Sequence, residues 1–268
     1  MVAAATLRII PPGAFGSRRA VHMVERNALI YRKGWYFLVS GFFEPFFYLL
    51  SLGIGLNHLI GTVDVGGTAV SYAAFVDPGL LAVSAMNGSM LDATFNTFFR
   101  LKVDHTYDSV MATPLTVEDI ALGELSWCLT RGTLYSVSFL VCMWALGDTL
   151  SPWAILCLPV AFLISLAFAS AGMAACTYLR SWQDFDLVML ALLPMFLFSG
   201  VFFPISQYPS WVEVLVRVTP LYQGVALARS CNLGMFSWAD LGHLAYLVVL
   251  SFVGMLITSR RFKRLLTP

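Results

Sequence analysis

Residues 196–229, FLFSGVFFPISQYPSWVEVLVRVTPLYQGVALAR, begin as a membrane span and then fail to continue as one. Ser199 and Gly200 lie near its outer end. Pro204 then removes a backbone donor that a continuing helix requires, and Pro209 blocks an immediate restart. From Ser210 the pattern changes: Trp211, Val214, Leu215 and Val218 share one helical face, while Glu213 and Arg217, four apart in the favourable order, pair on another. Pro220 ends that piece, and a short run containing Tyr222 follows, too brief to span. Residues of about 204–230 therefore read as helices that enter the outer leaflet without crossing it, as re-entrant or interfacial segments do.

Composition sets the scene for that reading. Charged residues are 12% of the 268 and hydrophobic ones 59%, where soluble domains carry roughly a quarter charged. This is the balance of an integral membrane protein, with room for about six spans and no sizeable soluble domain. Long apolar runs cover residues 35–60, 72–99, about 120–147, 153–179, 187–203 and 241–257. Their lack of alternation predicts helices, hence an all-α integral membrane fold of six transmembrane helices. Residues 1–34 form a cytoplasmic tail with an amphipathic interfacial helix, 35–258 the membrane domain, and 259–268 a basic tail. Five cysteines are scattered without metal-like spacing and read as small buried hydrophobes.

An even number of spans puts both termini on one side. Arg8, Arg18, Arg19, Arg26, Arg32, Lys33, Arg100, Lys102, Arg180, Arg260, Arg261, Lys263 and Arg264 all fall there, whereas only Arg217 and Arg229 face the other side. The positive-inside rule makes that side cytoplasmic, in the cytoplasmic membrane. Arg131, near the inner end of the third span, reads as snorkelling to the inner surface. Ahead of the first span, Arg19, His22, Arg26 and Lys33 recur at helical spacing opposite Val21, Val24 and Ala28. The segment is either a surface helix acting as a lever or a basic flank that sets topology.

The inner connection RLKVDHTYDSVMATPLTVEDIALGEL, residues 100–125, mixes Asp104 and Asp108 with exposed-looking Tyr107, Val110 and Met111, and Thr113-Pro114 restarts a helix. A short amphipathic helix at about 103–113 followed by a corner suits docking on a soluble partner better than a plain helical connection. Within the spans, Glu44 is the deepest ionisable group, Asp77 lies near the outer end of the second span, and Asn87, Asp92 and Asn96 follow at helical spacing. Such groups either line a path or are held hydrogen-bonded between helices. The four histidines form no metal pattern, and no catalytic elbow or G-x-x-x-x-G-K-[ST] phosphate loop exists. If ATP drives this protein, another chain binds it.

These motifs carry a resemblance. PGLL (78–81), ATPLT (112–116), LGEL (122–125), FLFSGVFFPISQYP (196–209) and VTPLYQGVALAR (218–229) make the chain similar to the membrane subunits of type 2 ABC exporters, in the branch that includes the nodulation lipo-oligosaccharide export permeases. The resemblance spans nearly the whole membrane domain. Gln223 stands where many relatives carry His, so a protonation role is not carried over to that position. The resemblance implies a half-transporter paired with a second permease copy or a related permease, each docked on a cytoplasmic ATPase that binds ATP and Mg. Asp104, Tyr107, Asp108, Met111, Thr113 and Pro114 would form the coupling helix, and the proline-rich stretch the re-entrant helices. The expected activity is ATP-driven export of a lipid-linked oligosaccharide, glycolipid or hydrophobic drug, with membrane lipid as neighbour and no nucleic acid. A second reading is an ion-coupled secondary transporter using Glu44 and Asp77, against which the two halves show no repeat. A lipid-acting membrane enzyme is a third.

Overall fold

The computed structural model describes residues 20–33, 36, 43, 46–51, 55, 60–65 and 67–266. Most of the first expected span, with Glu44, lies outside the described residues.

Helix α1 (Ala20–Lys33) leads to a hairpin of β1 (Thr62–Val65) and β2 (Thr68–Ser71), paired antiparallel from Thr62↔Ser71 to Val65↔Thr68. The hairpin corrects the all-α expectation. Its strands are short and rich in β-branched residues, and Gly67, at φ +87°, makes the turn and donates to Asp64 Oδ1 at 2.8 Å. Helix α2 (Tyr72–Leu91) follows, capped by Ser71 Oγ, and runs through two π-helical turns, Asp92–Asn96 and Phe99–Val103. After the short α3 (Thr106–Met111), a Thr116–Asp119 capping box opens the long α4 (Val117–Leu146). Then come α5 (Cys157–Cys176), α6 (Phe185–Phe198), α7 (Ser210–Val218), α8 (Pro220–Leu233) and α9 (Trp238–Leu266). Of the described helices, Val117–Leu146, Pro152–Cys176 and Trp238–Leu266 are long and apolar enough to cross a membrane.

The core is made where α2, α4, α5, α8 and α9 meet. Gly132 of α4 is the closest approach: a Cβ there would lie 2.3 Å from Ser165 Oγ of α5 and 3.0 Å from the Ala85 carbonyl of α2. Small residues let helix backbones touch in lipid, where no hydrophobic drive separates helix from solvent.

Two expected boundaries move. Helix α6 ends at Phe198, not Pro204, because Gly200 turns the chain at φ +73°. Helix α9 continues through the expected tail to Leu266, with Phe262 fully buried. The proline-rich region otherwise breaks as its prolines dictate. In α7, Trp211, Val214, Leu215 and Val218 are 61–69% exposed on one face, and Arg217 Nη2 donates to Glu213 Oε1 at 2.6 Å. Pro220 opens α8, which is buried against α2 and α5. Arg229 pins it by donating to Gly200 O (2.8 Å) and Phe75 O (3.2 Å) and by lying over the Phe75 ring. Tyr222 of α8 packs edge-on to His243 of α9, whose Nδ1 contacts Gln223.

Candidate functional site

A cavity of about 1230 Å³ runs between α2 and α6, apolar over most of its lining, with Leu80, Val83, Met86, Leu91 and Phe95 on the α2 side, and crossed by one polar stripe. On α2 and its π-helical extension, Ser84, Asn87, Asp92 and Asn96 face it, a polar stripe roughly 18 Å long at 1.5 Å per residue. Opposite, α6 contributes Met189, Leu190, Leu193 and Phe196, with Asp186 at one end. The Ser84 hydroxyl is buried without a hydrogen-bond partner, so the polar stripe has capacity left over.

At the end near α1, side chains from three elements converge on one carboxylate. Asp92 Oδ1 accepts from Arg131 Nη1 of α4 at 2.7 Å and from the Tyr31 hydroxyl of α1 at 3.1 Å. Asn96 Nδ2 reaches both Asp92 and Tyr31, and Cys128 Sγ donates to Asp92 Oδ2 at 3.7 Å. Arg131 Nη2 also donates to Tyr135 OH at 2.9 Å, and its guanidinium lies 5.1 Å from the Tyr31 ring centre. Burial, with the Asp92 charge adding to it, pushes the Tyr31 phenol up to about 12. Arg131 therefore does not snorkel: with Asp92 beside it in the cavity lining, pairing inside satisfies it better than reaching for water.

A second buried carboxylate sits nearer the inner connection. Glu124 of α4 accepts from Asn27 Nδ2 of α1 at 3.0 Å, pairs with Arg100, and has Arg26 at 3.8 Å. The Tyr107 hydroxyl of α3 faces the same carboxylate without completing a hydrogen bond, and burial holds its phenol well above the usual range. Helix α1 thus touches one buried charge cluster with Arg26 and Asn27 and the other, one turn on, with Tyr31.

Sequence-predicted residues are placed unequally. Asn87, Asp92 and Asn96 come together at the cavity. Asp77 does not: it is buried at the hairpin end, beside Asp148. On and beside α3, Asp104, Asp108, Thr113 and Pro114 are exposed, but Tyr107 is wholly buried and Met111 half-buried, packed with Phe262 of α9. The expected exposed apolar face turns inward because α9 extends far enough to cover it. Tyr31, Glu124 and Arg131 were missed as a set. A carboxylate two turns into an apolar helix was the available signal for Glu124.

Comparison with known proteins agrees with this architecture. The profile of the ABC-2 type transporter family matches residues 19–233. The chain is 34% identical over 212 residues to Nodulation protein J of Rhizobium meliloti (strain 1021), covering 78% of this chain and 79% of that protein. It is 34% identical over 221 residues to the protein of the same name in Rhizobium leguminosarum bv. trifolii, covering 82% and 83%. The corresponding protein of Rhizobium leguminosarum bv. viciae is 30% identical over 242 residues, covering 90% and 92%.

Proposed function

Because the chain belongs to the ABC-2 type transporter family, an integral membrane family whose members work with an ABC ATPase subunit, we propose that it is the permease of an ATP-driven exporter. It moves an amphipathic molecule outward across the cytoplasmic membrane. The observation that carries this reading is the cavity, with the stripe of Ser84, Asn87, Asp92 and Asn96 along one wall and the α6 leucines along the other. Such a passage holds a polar head against the stripe and an acyl or other apolar part against the rest of the lining. Its hydroxyl and amide groups favour a hydroxylated head, as in a lipid-linked oligosaccharide or glycolipid, over a hydrophobic drug.

In this reading six spans put both termini in the cytoplasm, and two permease copies, or this chain and a related permease, form the path above two ATPase subunits. ATP and Mg are bound by those partners. The exposed residues Asp104, Asp108, Thr113 and Pro114 of the coupling segment dock on the ATPase, while Tyr107 and Met111 anchor that segment to α9. ATPase closure moves α3. The Glu124 cluster then carries the movement to α1, and Tyr31 carries it to the cavity end. Only contacts that differ between two states transmit such work. The re-entrant helices α7 and α8 close the outer side.

The test is reconstitution of the permease with the ATPase encoded beside it in sealed vesicles. ATP-dependent movement of a fluorescent glycolipid, lost on Asp108→Lys together with complex formation, is the expected result. Transport driven by a proton gradient without ATP would instead support the ion-coupled alternative, which Asp77 now serves poorly because it stands away from the cavity.

A further inference from the structure

At the hairpin end of the bundle, far from the Asp92 cluster, a second group of oxygens lacks compensation. Asp77, in the second turn of α2, is 1% exposed, and its Oδ2 has no hydrogen-bond partner. Its carboxyl group faces that of Asp148, half-buried in the loop that follows α4, closely enough for the two to share a hydrogen bond. Burial raises the Asp148 carboxyl above its usual range, against the hydrogen bond with Asp77, which lowers it. Among the described residues, no lysine, arginine or histidine pairs with either acid.

An independent side chain points to what completes the group. Asn232, at the end of α8, is fully buried. Its Nδ2 donates to the Asp148 main-chain carbonyl at 3.2 Å and to Ala74 O, one turn before Asp77, at 3.4 Å. The amide therefore lies between the two acidic residues, and its Oδ1 is left without a partner. The backbone adds to the same sign of charge. Helix α4 ends at Gly147, in the left-handed region, with Asp148 N bonded back to Met143 O (3.0 Å), and α8 ends at Gly234. Both helices thus bring their carbonyl ends, the negative poles of their dipoles, toward these acids.

Two carboxylates in contact, one fully buried and one half-buried, cannot both stay charged without a counter-charge. We infer that Asp77, Asp148 and Asn232 form a site for a divalent, oxygen-preferring cation of the calcium class. Three protein oxygens from three elements, with the half-exposed side of Asp148 open to water, suit a cation that tolerates irregular coordination and completes its shell with water. Few protein ligands imply weak binding, in the submillimolar to millimolar range found for extracellular modules. Bound there, the cation ties the start of α2, the end of α4 and the re-entrant α8 into one unit. The transport reading is not needed for this inference.

The test uses the purified full-length permease without its ATPase. Radioactive calcium binding by equilibrium dialysis and thermal unfolding by tryptophan fluorescence are measured at pH 7 in calcium, in magnesium, and in EDTA with sodium at matched ionic strength. One saturable calcium site per chain and a melting temperature that rises with calcium are expected, and both are lost in Asp77→Asn. If Asp77→Asn fails to fold, Asp148→Asn, at a half-exposed position, gives the same readout. A protein that binds no calcium, is equally stable in EDTA, and gains stability only as the pH falls would show that the two acids share a proton instead and would overturn the inference.

Discussion

Removing either partner of the Arg131–Asp92 pair strands the other inside the bundle, and the cost follows from what each keeps. In Arg131→Met, Asp92 is left with a side chain only 1% exposed, still bonded by Tyr31, Asn96 and Cys128. Breaking a buried pair costs about 3–5 kcal/mol, and the surviving donors place this variant near 3. In Asp92→Asn, Arg131 keeps Tyr31 and Tyr135 and is 15% exposed, so the loss is a charge-assisted bond worth about 2 kcal/mol. The double variant leaves no stranded charge and should cost about 2 kcal/mol, giving a favourable interaction near 3 for residues in contact. Unfolding of all four proteins by SDS in mixed micelles, followed by circular dichroism, measures the cycle. Transport should stay lost in the double variant although it is more stable than Arg131→Met, because the cavity end has lost both of its charges. Single variants each costing below about 0.5 kcal/mol, or a double variant equal to their sum, would refute the reasoning that the charges are buried and mutual.

Four further outcomes are expected. Tyr107→Phe should leave stability nearly unchanged, since its buried hydroxyl lacks a partner, whereas Tyr107→Asp puts a charge beside Glu124 and should abolish recovery of monodisperse protein in size-exclusion chromatography. Gly132→Ala drives a methyl into Ser165 and should cost about 1–3 kcal/mol in the same SDS titration. Asp184 is held below its usual range by the Arg180 and Ser181 amides, so this cap stabilises the turn before α6 at neutral pH. It should be lost as the pH falls through that lowered value, seen as faster hydrogen exchange at those two amides. Cysteines placed at the exposed Ser206 and Ser237 should both react with an impermeant reagent from outside, and labelling only from the cytoplasm would refute the topology.

The features legible in the sequence are those set by local rules. Prolines and the Glu213–Arg217 spacing fixed the breaks and pairing around α7, and helical spacing put Asn87, Asp92 and Asn96 on one wall. What escaped depends on contacts distant in the chain. Tyr31 and Arg131 are a hundred positions apart, and nothing in either segment names the other. Arg131 was read as snorkelling because its depth was counted from the end of its own helix, while the acid that holds it comes from α2. Tyr107 was read as exposed because the apolar run of the last span stops near 257, although the helix itself does not. Asp77 was grouped with Asp92 because both lie on one span, and only the loop carrying Asp148 separates their roles.

Helix α9 also joins the two ends of the bundle, and it comes closest to α5 partway along. Its backbone touches α5 at Gly254, where a Cβ would lie 2.6 Å from Ser170 Oγ, and Thr258 Oγ1 donates to Ser170 O one turn on. At 1.5 Å per residue, Phe262, which packs on Tyr107, lies roughly 12 Å to one side of this contact, and His243, which contacts Gln223 of α8, roughly 16 Å to the other. A tilt of α9 about this contact would move Phe262 and His243 in opposite directions, by amounts in the ratio of those arms, about 1.4. One helix thus joins the Tyr107 segment to α8, and the place where a single glycine falls along it sets the length of each arm.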